Sequence, residues 1–295
     1  MRVTNSIADM QYDMQQSQQD LSVALEQVST SKRVNQLSDD PSASANMVRS
    51  LAASTNVDSY TRNVDSVLAK LQTADSALSS VVTSLNQAVT LGTSGANSTM
   101  TDANREALAM QVQGILANVV AQANTSYQGS YMFAGSDTST MPFTSDAASI
   151  GGYVYNGNST VNQVQVGDSI SVATNVPGDQ IFNSGANVIG SLANLISVLQ
   201  SGTLTDIGTA TIAVSTALNY VSQQRVPLGN SIAQLNSQES YLNQETVTLS
   251  TQQTSLVGID LATAATNLSQ AETTNNAVLA AAAKVLPQTL LDYLQ

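Results

Sequence analysis

The first segment of the chain, residues 1–30, places its apolar side chains at alternating steps of three and four. The stripe consists of Ile7, Met10, Met14, Ser17, Leu21, Ala24 and Val28. This spacing predicts the narrow a/d seam of a coiled coil. The intervening Ser, Thr, Asp and Asn residues compete for backbone hydrogen bonds, so a lone helix of this length should be marginal in water. We therefore expect this helix to need a partner.

A longer stretch then keeps the same rhythm and predicts a long second helix. Its stripe consists of Val57, Tyr60, Val64, Val67, Leu71, Ala74, Leu78, Val81, Leu85 and Ala88. A hydrophobic period of 3.5 residues is typical of helices that supercoil around neighbours. The two glycines of LGTSGANSTMTD (91–102) should end this helix, and a third should begin near Asp102. Its predicted seam is Leu108, Val112, Ile115 and Val119.

Between the first two helices lies RVNQLSDDPSASANM, residues 33–47. Asp40 directly precedes Pro41, and an acidic N-cap followed by proline at the first helical position is a strong helix start signal. Asp39 adds negative charge near the positive end of the helix dipole. Paired carboxylates can also serve acid–base catalysis, but that requires a pocket, and the capping interpretation is favoured. One helix should stop near Lys32–Arg33 and the next should start at Pro41.

From Tyr127 to about Phe182 the period changes from helical to alternating. Val, Tyr and Ile alternate with polar residues around Asn156–Gly157 and Gly167–Asp168, and these two pairs are hairpin turn signals. A β-rich region of this size is too small to be very stable alone, so we expect it to pack on the helices.

Helical rhythm returns in the last third of the chain. A short helix around Val188–Leu199 precedes a long one from Ile207 to Leu256, inside which Pro227 predicts a kink or a short break. Asp260 is the predicted N-cap of the final helix, and Pro287 should bend or end that helix. The apolar positions of this last segment are Leu261, Leu268, Ala271, Val278, Ala282, Val285, Leu290, Leu291 and Leu294.

These elements predict a mainly α fold with a β-rich insert. The N- and C-terminal segments should form a long antiparallel α-helical coiled-coil rod, with the small β domain in the middle of the sequence. We divide the chain into a terminal coiled coil (1–40 plus 258–295), a helical rod domain (41–130 plus 185–257) and a β-rich outer domain (131–184).

Composition removes several classes of function. The 295 residues include no Cys, His or Trp, which excludes cysteine and histidine nucleophiles, thiolate metal sites and disulfides. The net charge is −12 and the nine basic residues are dispersed, so nucleic-acid binding is not expected. The first 30 residues lack both the apolar core of a cleavable signal and the cationic face of a membrane-surface helix. We expect no membrane insertion.

Catalysis in the β-rich region is a remote alternative. Its only carboxylates between Tyr127 and Phe182 are Asp137, Asp146, Asp168 and Asp179. No His–Glu cluster accompanies them, and Asp168 and Asp179 stand in turn-like contexts where Asp is favoured for conformational reasons. We predict no catalytic, metal-binding or cofactor-binding residues.

Four ordered motifs carry a resemblance to a known family. They are STSKRVNQLSDDPSASA (29–45), GSYMFAGSDTSTMPF (129–143), VPGDQIF (176–182) and LLDYL (290–294). In these motifs the chain resembles bacterial flagellin-type axial proteins, and most closely the family of hook–filament junction proteins. Filament flagellin is the nearest alternative, but Pro41, VPGDQIF and LLDYL favour the junction family. One departure is Ser31, which stands where that family commonly has glycine.

The resemblance implies a structural adaptor that is exported unfolded by the flagellar type III system, without a cleavable signal peptide, and acts outside the cell in the flagellum. Its implied partners are copies of itself in a ring, neighbouring hook-associated protein and flagellin subunits, and an export chaperone at the C-terminal helix. The terminal helices would make the assembly contacts. The residues predicted for that interface are Ile7, Met10, Met14, Leu21, Leu25, Val28, Leu261, Leu268, Val278, Val285, Leu290, Leu291 and Leu294.

Overall fold

The computed structural model describes residues 2–149, 151–183 and 185–293, and within these ranges the side chains from 8 to 284. Six α-helices lie in the described parts: α1 (Arg2–Thr30), α2 (Pro41–Gly95), α3 (Asp102–Ala123), α4 (Val188–Ser201), α5 (Leu204–Val257) and α6 (Leu261–Tyr293). Six short strands lie between α3 and α4: β1 (Ser126–Tyr127), β2 (Ser130–Tyr131), β3 (Phe143–Ser145), β4 (Tyr153–Tyr155), β5 (Gln163–Gly167) and β6 (Ile170–Ala173). The predicted class, mainly α with a β-rich middle segment, is confirmed.

The chain forms two compact units. The first consists of Met1–Asn56 and Gln244–Gln295, and the second of Val57–Asn243. The β-rich segment belongs to the second unit together with α3 and α4. The division into three parts made from the sequence stays a prediction.

The core of the second unit follows the predicted helical stripe. Every stripe position of α2 from Val57 to Ala88 is buried except Tyr60, which is half-buried. Helix α3 buries Val112, Ile115 and Val119 of its predicted seam and packs on α4. The spacing of apolar residues therefore located most of this core.

Helix α4 lies in the one described stretch apolar and long enough to span a membrane, Asp179–Ser201. Its mean hydropathy is 1.2, and 47% of it is buried inside the protein. Leu192, Leu195 and Leu199 are each at most 2% exposed. The apolar character of α4 is therefore explained by its position in the core.

Helices α2 and α5 run antiparallel within the second unit. Arg225 of α5 donates two hydrogen bonds to Asp75 of α2, from Nε to Oδ1 at 2.8 Å and from Nη2 to Oδ2 at 2.9 Å. This bidentate pair raises the pKa of the Arg225 guanidinium. Further along, Gly92 of α2 approaches Thr211 of α5 so closely that a Cβ on Gly92 would lie 2.4 Å from the Thr211 hydroxyl.

Of the kink or short break predicted at Pro227, the break is wrong, because α5 continues through Pro227 from Leu204 to Val257, and the kink stays a prediction. Proline removes one backbone hydrogen bond. The segments on both sides are nonetheless fixed to the core, because Val221 and Leu228 are buried and Arg225 is paired with Asp75. Of the bend or helix end predicted at Pro287, the end is likewise wrong, since α6 continues to Tyr293, and the bend stays a prediction.

The strands form three separate antiparallel pairs, β1–β2, β3–β4 and β5–β6. The turn predicted at Gly167–Asp168 is confirmed, because Gly167 pairs with Ile170 at the end of the β5–β6 ladder. The turn predicted at Asn156–Gly157 is wrong. Strand β4 pairs antiparallel with β3, the strand that precedes it in the chain, and Asn156 comes after the end of that ladder. Its N–H donates to Pro142 O at 2.8 Å. The β3–β4 connection instead contains two glycines with φ of 85° and 75°, at 151 and 152.

Side chains of both long helices bond the β5–β6 hairpin. From α2, Asn63 donates to Gln165 O at 2.9 Å and the Tyr60 hydroxyl donates to Asp168 Oδ1 at 3.1 Å. From α5, the buried Gln238 amide donates to Val166 O at 3.0 Å. The hairpin is thereby anchored to the helices, as the small size of the β-rich region led us to expect.

Candidate assembly interface

Helices α1 and α6 pack against each other in the first unit, antiparallel. Just after the end of α1 and just before the start of α6, Lys32 pairs with Gly258 in an isolated antiparallel β-bridge. Further along, the Ser17 hydroxyl lies 3.4 Å from Asn275 Oδ1. Residue numbers thus fall on one helix as they rise on the other. The N- and C-terminal segments are therefore each other's partner within one chain.

Small side chains fill the centre of this pair. Ser17 and Ala24 of α1 and Ala264 and Ala282 of α6 are all under 9% exposed. The larger residues of the predicted interface are only half-buried: Met10, Met14, Leu21, Val28, Leu268 and Val278. Small residues allow the two helices to approach closely, but the pair leaves much of its larger apolar surface in water.

One side of the pair carries the remaining leucines, and we call it the leucine edge, made of Leu21, Leu25, Leu261, Leu268 and Leu279. Leu25, Leu261 and Leu279 are exposed by 49%, 57% and 41% of their surface. At 100° per residue, Leu25 lies beside Leu21 and away from Asp20 on α1, and Leu261 lies beside Leu268 on α6. Because the two helices are antiparallel and face each other, the leucines of α1 and the leucines of α6 lie on the same side of the pair. The leucine edge therefore carries several exposed leucines, with the exposed Glu272 between Leu268 and Leu279.

The opposite side, the acidic edge, is polar. A groove of about 370 Å³ there is lined by Asp20 and Gln27 of α1 and by Asn267, Gln270 and Thr274 of α6, with Val23 also contributing. Asp13 precedes Asp20 by seven residues, so the helical period places it on the same side. We did not predict this edge from the sequence, although the spacing of Asp13 and Asp20 could have indicated it. The α1–α6 pair is thus apolar on one side and polar on the other.

Several predicted interface residues lie outside the described side chains. The side chains of Ile7, Val285, Leu290 and Leu291 are not described, and Leu294 lies outside the described residues altogether.

The two terminal helices connect to α2 and α5 through a compact junction. Arg33 N donates to Val257 O at 2.6 Å, and Ile259 N donates to Ser31 O at 3.3 Å. Beneath these bonds Val34, Ala43 and Val257 form a small buried cluster, with Met47 and Leu256 packed against it. This junction fixes residues 31–34 against 256–259.

The junction also requires an unusual backbone conformation, because Ser31 has a φ of 54°. Changing Ser31 to glycine should stabilise the first unit by roughly 0.5–1 kcal/mol, since a non-glycine residue in the left-handed region costs about 1–2 kcal/mol, part of which the greater freedom of unfolded glycine offsets. Ser29 lies in helical conformation only two residues away, so Ser29→Gly should instead destabilise by roughly 0.5–1 kcal/mol. Thermal or urea unfolding measures both changes, and a loss of stability in Ser31→Gly would contradict the assignment of strain.

The two aspartates of the connecting loop bond backbone N–H groups, and Asp40 caps α2 while Asp39 holds the loop before it. Asp40 Oδ1 accepts hydrogen bonds from the N–H groups of Ser42 at 3.1 Å and Ala43 at 3.0 Å, and Asp40 Oδ2 lies 3.2 Å from the Arg33 guanidinium. The bond from Ala43 N–H, followed by that from Arg33, lowers the pKa of Asp40. Asp39 Oδ2 accepts from the N–H groups of Asn35 and Gln36. At α6, Asp260 Oδ1 accepts from Ala262 N–H at 3.2 Å.

The aspartates of the β-rich segment are engaged in local bonds. Asp137 accepts from the hydroxyls of Thr140 and Ser139, and Asp146 accepts from that of Ser149. These hydroxyls are the main cause of the lowered pKa of each carboxyl. Asp168 accepts from Tyr60. Bonds of this kind hold turns and anchor a hairpin, and no group of three His, Cys, Asp or Glu residues with metal-binding geometry occurs in the described parts.

Comparison with known proteins relates this arrangement to the flagellum. Residues 4–138 match the bacterial flagellin N-terminal helical region, and residues 211–294 match the bacterial flagellin C-terminal helical region. The flagellar hook-associated protein 3 of Escherichia coli is 30% identical over 260 residues, which cover 80% of this chain and 80% of the relative. Flagellin B of Helicobacter pylori is 30% identical over 68% of this chain but only 39% of its own length.

Solved structures share the fold. A flagellar hook-associated protein structure from Vibrio parahaemolyticus matches with a TM-score of 0.67 and 21% identity, covering 74% of this chain and 99% of the other. The flagellar junction protein FlgL of Legionella pneumophila matches with a TM-score of 0.60 and 18% identity, covering 72% and 100%. With the two terminal helical regions matched and the identity to the Escherichia coli relative extending over four fifths of both chains, this protein belongs to the flagellar hook-associated protein 3 family of flagellin-like proteins.

Proposed function

We propose that this chain is a structural adaptor that joins the flagellar hook to the flagellin filament and assembles through its terminal helices. The observation that carries the proposal is the leucine edge of the α1–α6 pair. A chain that leaves Leu25, Leu261 and Leu279 in water along one side of its terminal helices has a surface suited to a neighbouring subunit. Membership of a flagellar family supports a neighbour that is another flagellar subunit.

The two sides of the α1–α6 pair give the assembly an orientation. The leucine edge would lie against the next subunit in a ring, and the acidic edge would face water or a polar lumen. Each fully buried leucine contributes roughly 1.5–3 kcal/mol, and this gain, repeated at every subunit contact, offsets the cost of ordering the helices. The partners we propose are copies of this chain, a hook-associated protein on one side and flagellin on the other. An export chaperone would cover the C-terminal helix before assembly.

The absence of Cys and the weak intrinsic helicity of the ends suit export before folding. We propose that the chain reaches the flagellum through the type III exporter and acts outside the cell, without enzymatic activity.

Removing the terminal helices tests this function. A chain lacking residues 1–30 and 258–295 should keep the fold of the second unit but should fail to hold filaments, because the leucine edge is gone. Adding purified truncated or full-length protein to hooks of cells that lack the chain bypasses export, and electron microscopy counts attached filaments. Filaments held equally well by the truncated chain would refute the proposal.

Filament flagellin is the second candidate, supported by the match to Flagellin B. A flagellin should grow long filaments when purified protein is seeded at high concentration, whereas an adaptor should remain monomeric or form short oligomers. Sedimentation and electron microscopy of the seeded protein distinguish the two.

A further inference from the structure

The loop between α1 and α2 exposes one large apolar side chain that its own fold does not use. Leu37 is 69% exposed and occupies the second position of the turn Gln36–Asp39, which is closed by a bond from Asp39 N to Gln36 O at 3.1 Å. Turn tips ordinarily carry Asn, Asp, Ser, Pro or Gly. Leucine at this position therefore calls for an explanation outside the isolated chain.

The loop around Leu37 is held in a fixed conformation. Asp39 Oδ2 bonds the N–H groups of Asn35 and Gln36, at 3.0 and 2.9 Å. The Arg33 guanidinium bonds both Asp40 and the carbonyl of Leu256. Leu37 is thus presented in place before any partner arrives, which lowers the entropy lost on binding.

A groove in the same unit has the complementary character. It encloses about 290 Å³ and is lined by Thr30, Ser31, Lys32, Met47, Ser250, Gln253, Thr254, Val257 and Gly258. Met47 and Val257 supply apolar surface. Among the described residues the Lys32 ammonium has no ion pair, and Gln253 Nε2 is shielded from solvent with no acceptor. The Lys32 ammonium is therefore available to an incoming carboxylate, whereas the Gln253 amide is closed off from solvent.

Leu37, which we call the knob, and the groove match in polarity and charge. The knob is an isobutyl group two residues from the Asp39 carboxylate, and the groove is partly apolar and supplies an unpaired cation. Leu37 does not fill the groove of its own chain, because it is largely exposed. Where the knob of each chain enters the groove of the next without exchange, the contact is head-to-tail and closes into a ring or continues as a helix of subunits.

We propose that Leu37 of one subunit inserts into this groove of the next subunit, with the Asp39 carboxylate beside the Lys32 ammonium. The inference rests on the proposed adaptor function, which brings copies of the chain side by side, and it adds a specific contact outside the α1–α6 pair. The occupant is a second copy of this chain.

Disulfide trapping in intact flagella tests the contact, since the chain has no native cysteine. Leu37→Cys and Thr254→Cys chains, carrying different tags, are produced together in cells that lack the native chain, and the flagella are then mildly oxidised. We expect a crosslinked pair joining position 37 of one chain to position 254 of the other, identified by peptide mass spectrometry. Each variant alone should give no dimer. Dimers of Leu37→Cys alone, or no mixed dimer in flagella that assemble normally, would overturn the inference.

A substitution series separates this contact from the adaptor role itself. Leu37→Ala should lower the fraction of hooks that hold a filament about tenfold, since truncating a well-placed interface side chain typically weakens association by that factor or more. Ile212→Ala is the matched control, because Ile212 is also 69% exposed but lies in the second unit. Equal attachment with Leu37→Ala would remove the proposed contact but leave the adaptor role intact. Attachment by the chain that lacks residues 1–30 and 258–295 would refute assembly through the terminal helices but not this contact, because that chain keeps Leu37, Lys32 and Thr254.

Discussion

Replacing Leu25 and Leu261 together with glutamine should leave the purified chain folded and leave cells unable to retain their filaments. Both leucines are about half exposed on the leucine edge of the α1–α6 pair. Their loss should cost the isolated chain less than about 1 kcal/mol, because substitutions at exposed positions have small effects on stability. In the assembled ring the exposed half of each side chain would be buried as well, which contributes roughly 0.7–1.5 kcal/mol per leucine. The association constant at each subunit contact should therefore fall by roughly 10- to 150-fold.

Attachment is measured by counting filaments per hook in electron micrographs and by the amount of flagellin shed into the medium. The matched control is Val23→Gln, on the same helix but on the acidic edge, where 43% of the valine is exposed. That variant should hold filaments as the native chain does. If the double glutamine variant retained its filaments, or if Val23→Gln lost them equally, the leucine edge would not be the subunit contact.

The sequence predicted the long helices well because their apolar spacing is sustained over many turns. In α2 the stripe from Val57 to Ala88 matches the buried positions, since packing on one face determines which side chains leave water. In α5 the pattern was less complete. Arg225 occupies a position of the apolar stripe, but its guanidinium forms an ion pair with Asp75, which lies 150 residues earlier in the chain. Such a long-range partner leaves no periodic trace in either segment.

The β-rich segment was predicted less accurately, because short strands carry few residues of alternation. Asn156–Gly157 has the composition of a hairpin turn, yet it lies past the end of the β3–β4 ladder. Gly157 meets a packing need there, since a Cβ would lie 2.7 Å from Ala134 O. A glycine that is needed because another group packs closely against the backbone cannot be distinguished, in the sequence, from a glycine that is needed by a turn.

The assembly interface itself stays a prediction, but the packing of α1 on α6 was predicted in part. The spacing of apolar residues by three and four identified the faces of α1 and α6 that meet. It did not indicate that small side chains would be buried at the centre of the pair and that the leucines would lie along one edge. That division depends on how the two helices are placed against each other. The Lys32 groove and the exposed Leu37 could not be predicted for the same reason, since both arise from the folding of residues 30–40 against 250–258.

A cluster of aromatic rings in the second unit gives the largest expected effect on stability. The chain has only three phenylalanines, and Phe133, Phe143 and Phe182 are each at most 1% exposed. Phe182 packs edge-on against both others, with ring centroids 5.6 Å from Phe133 and 5.5 Å from Phe143. The Phe143 ring centroid is also 5.1 Å from that of Tyr155, so β3, β4 and the short π-helix Asp179–Asn183 before α4 meet at these rings.

Changing Phe182 to alanine should therefore destabilise the second unit by about 3–5 kcal/mol, the usual cost of removing a buried phenyl ring from a packed core. For a unit of this size the melting temperature should fall by roughly 10 °C. Phe182→Leu keeps most of the volume and loses the edge-to-face contacts, so it should cost only about 1–2 kcal/mol. Hydrogen exchange locates the change: amides of β3 and β4 should exchange faster in the alanine variant, and those of α1 and α6, in the other unit, should not. An alanine variant that loses only about 1–2 kcal/mol, as little as the leucine variant, would mean that the region around Phe182 collapses to fill the cavity and would contradict this prediction.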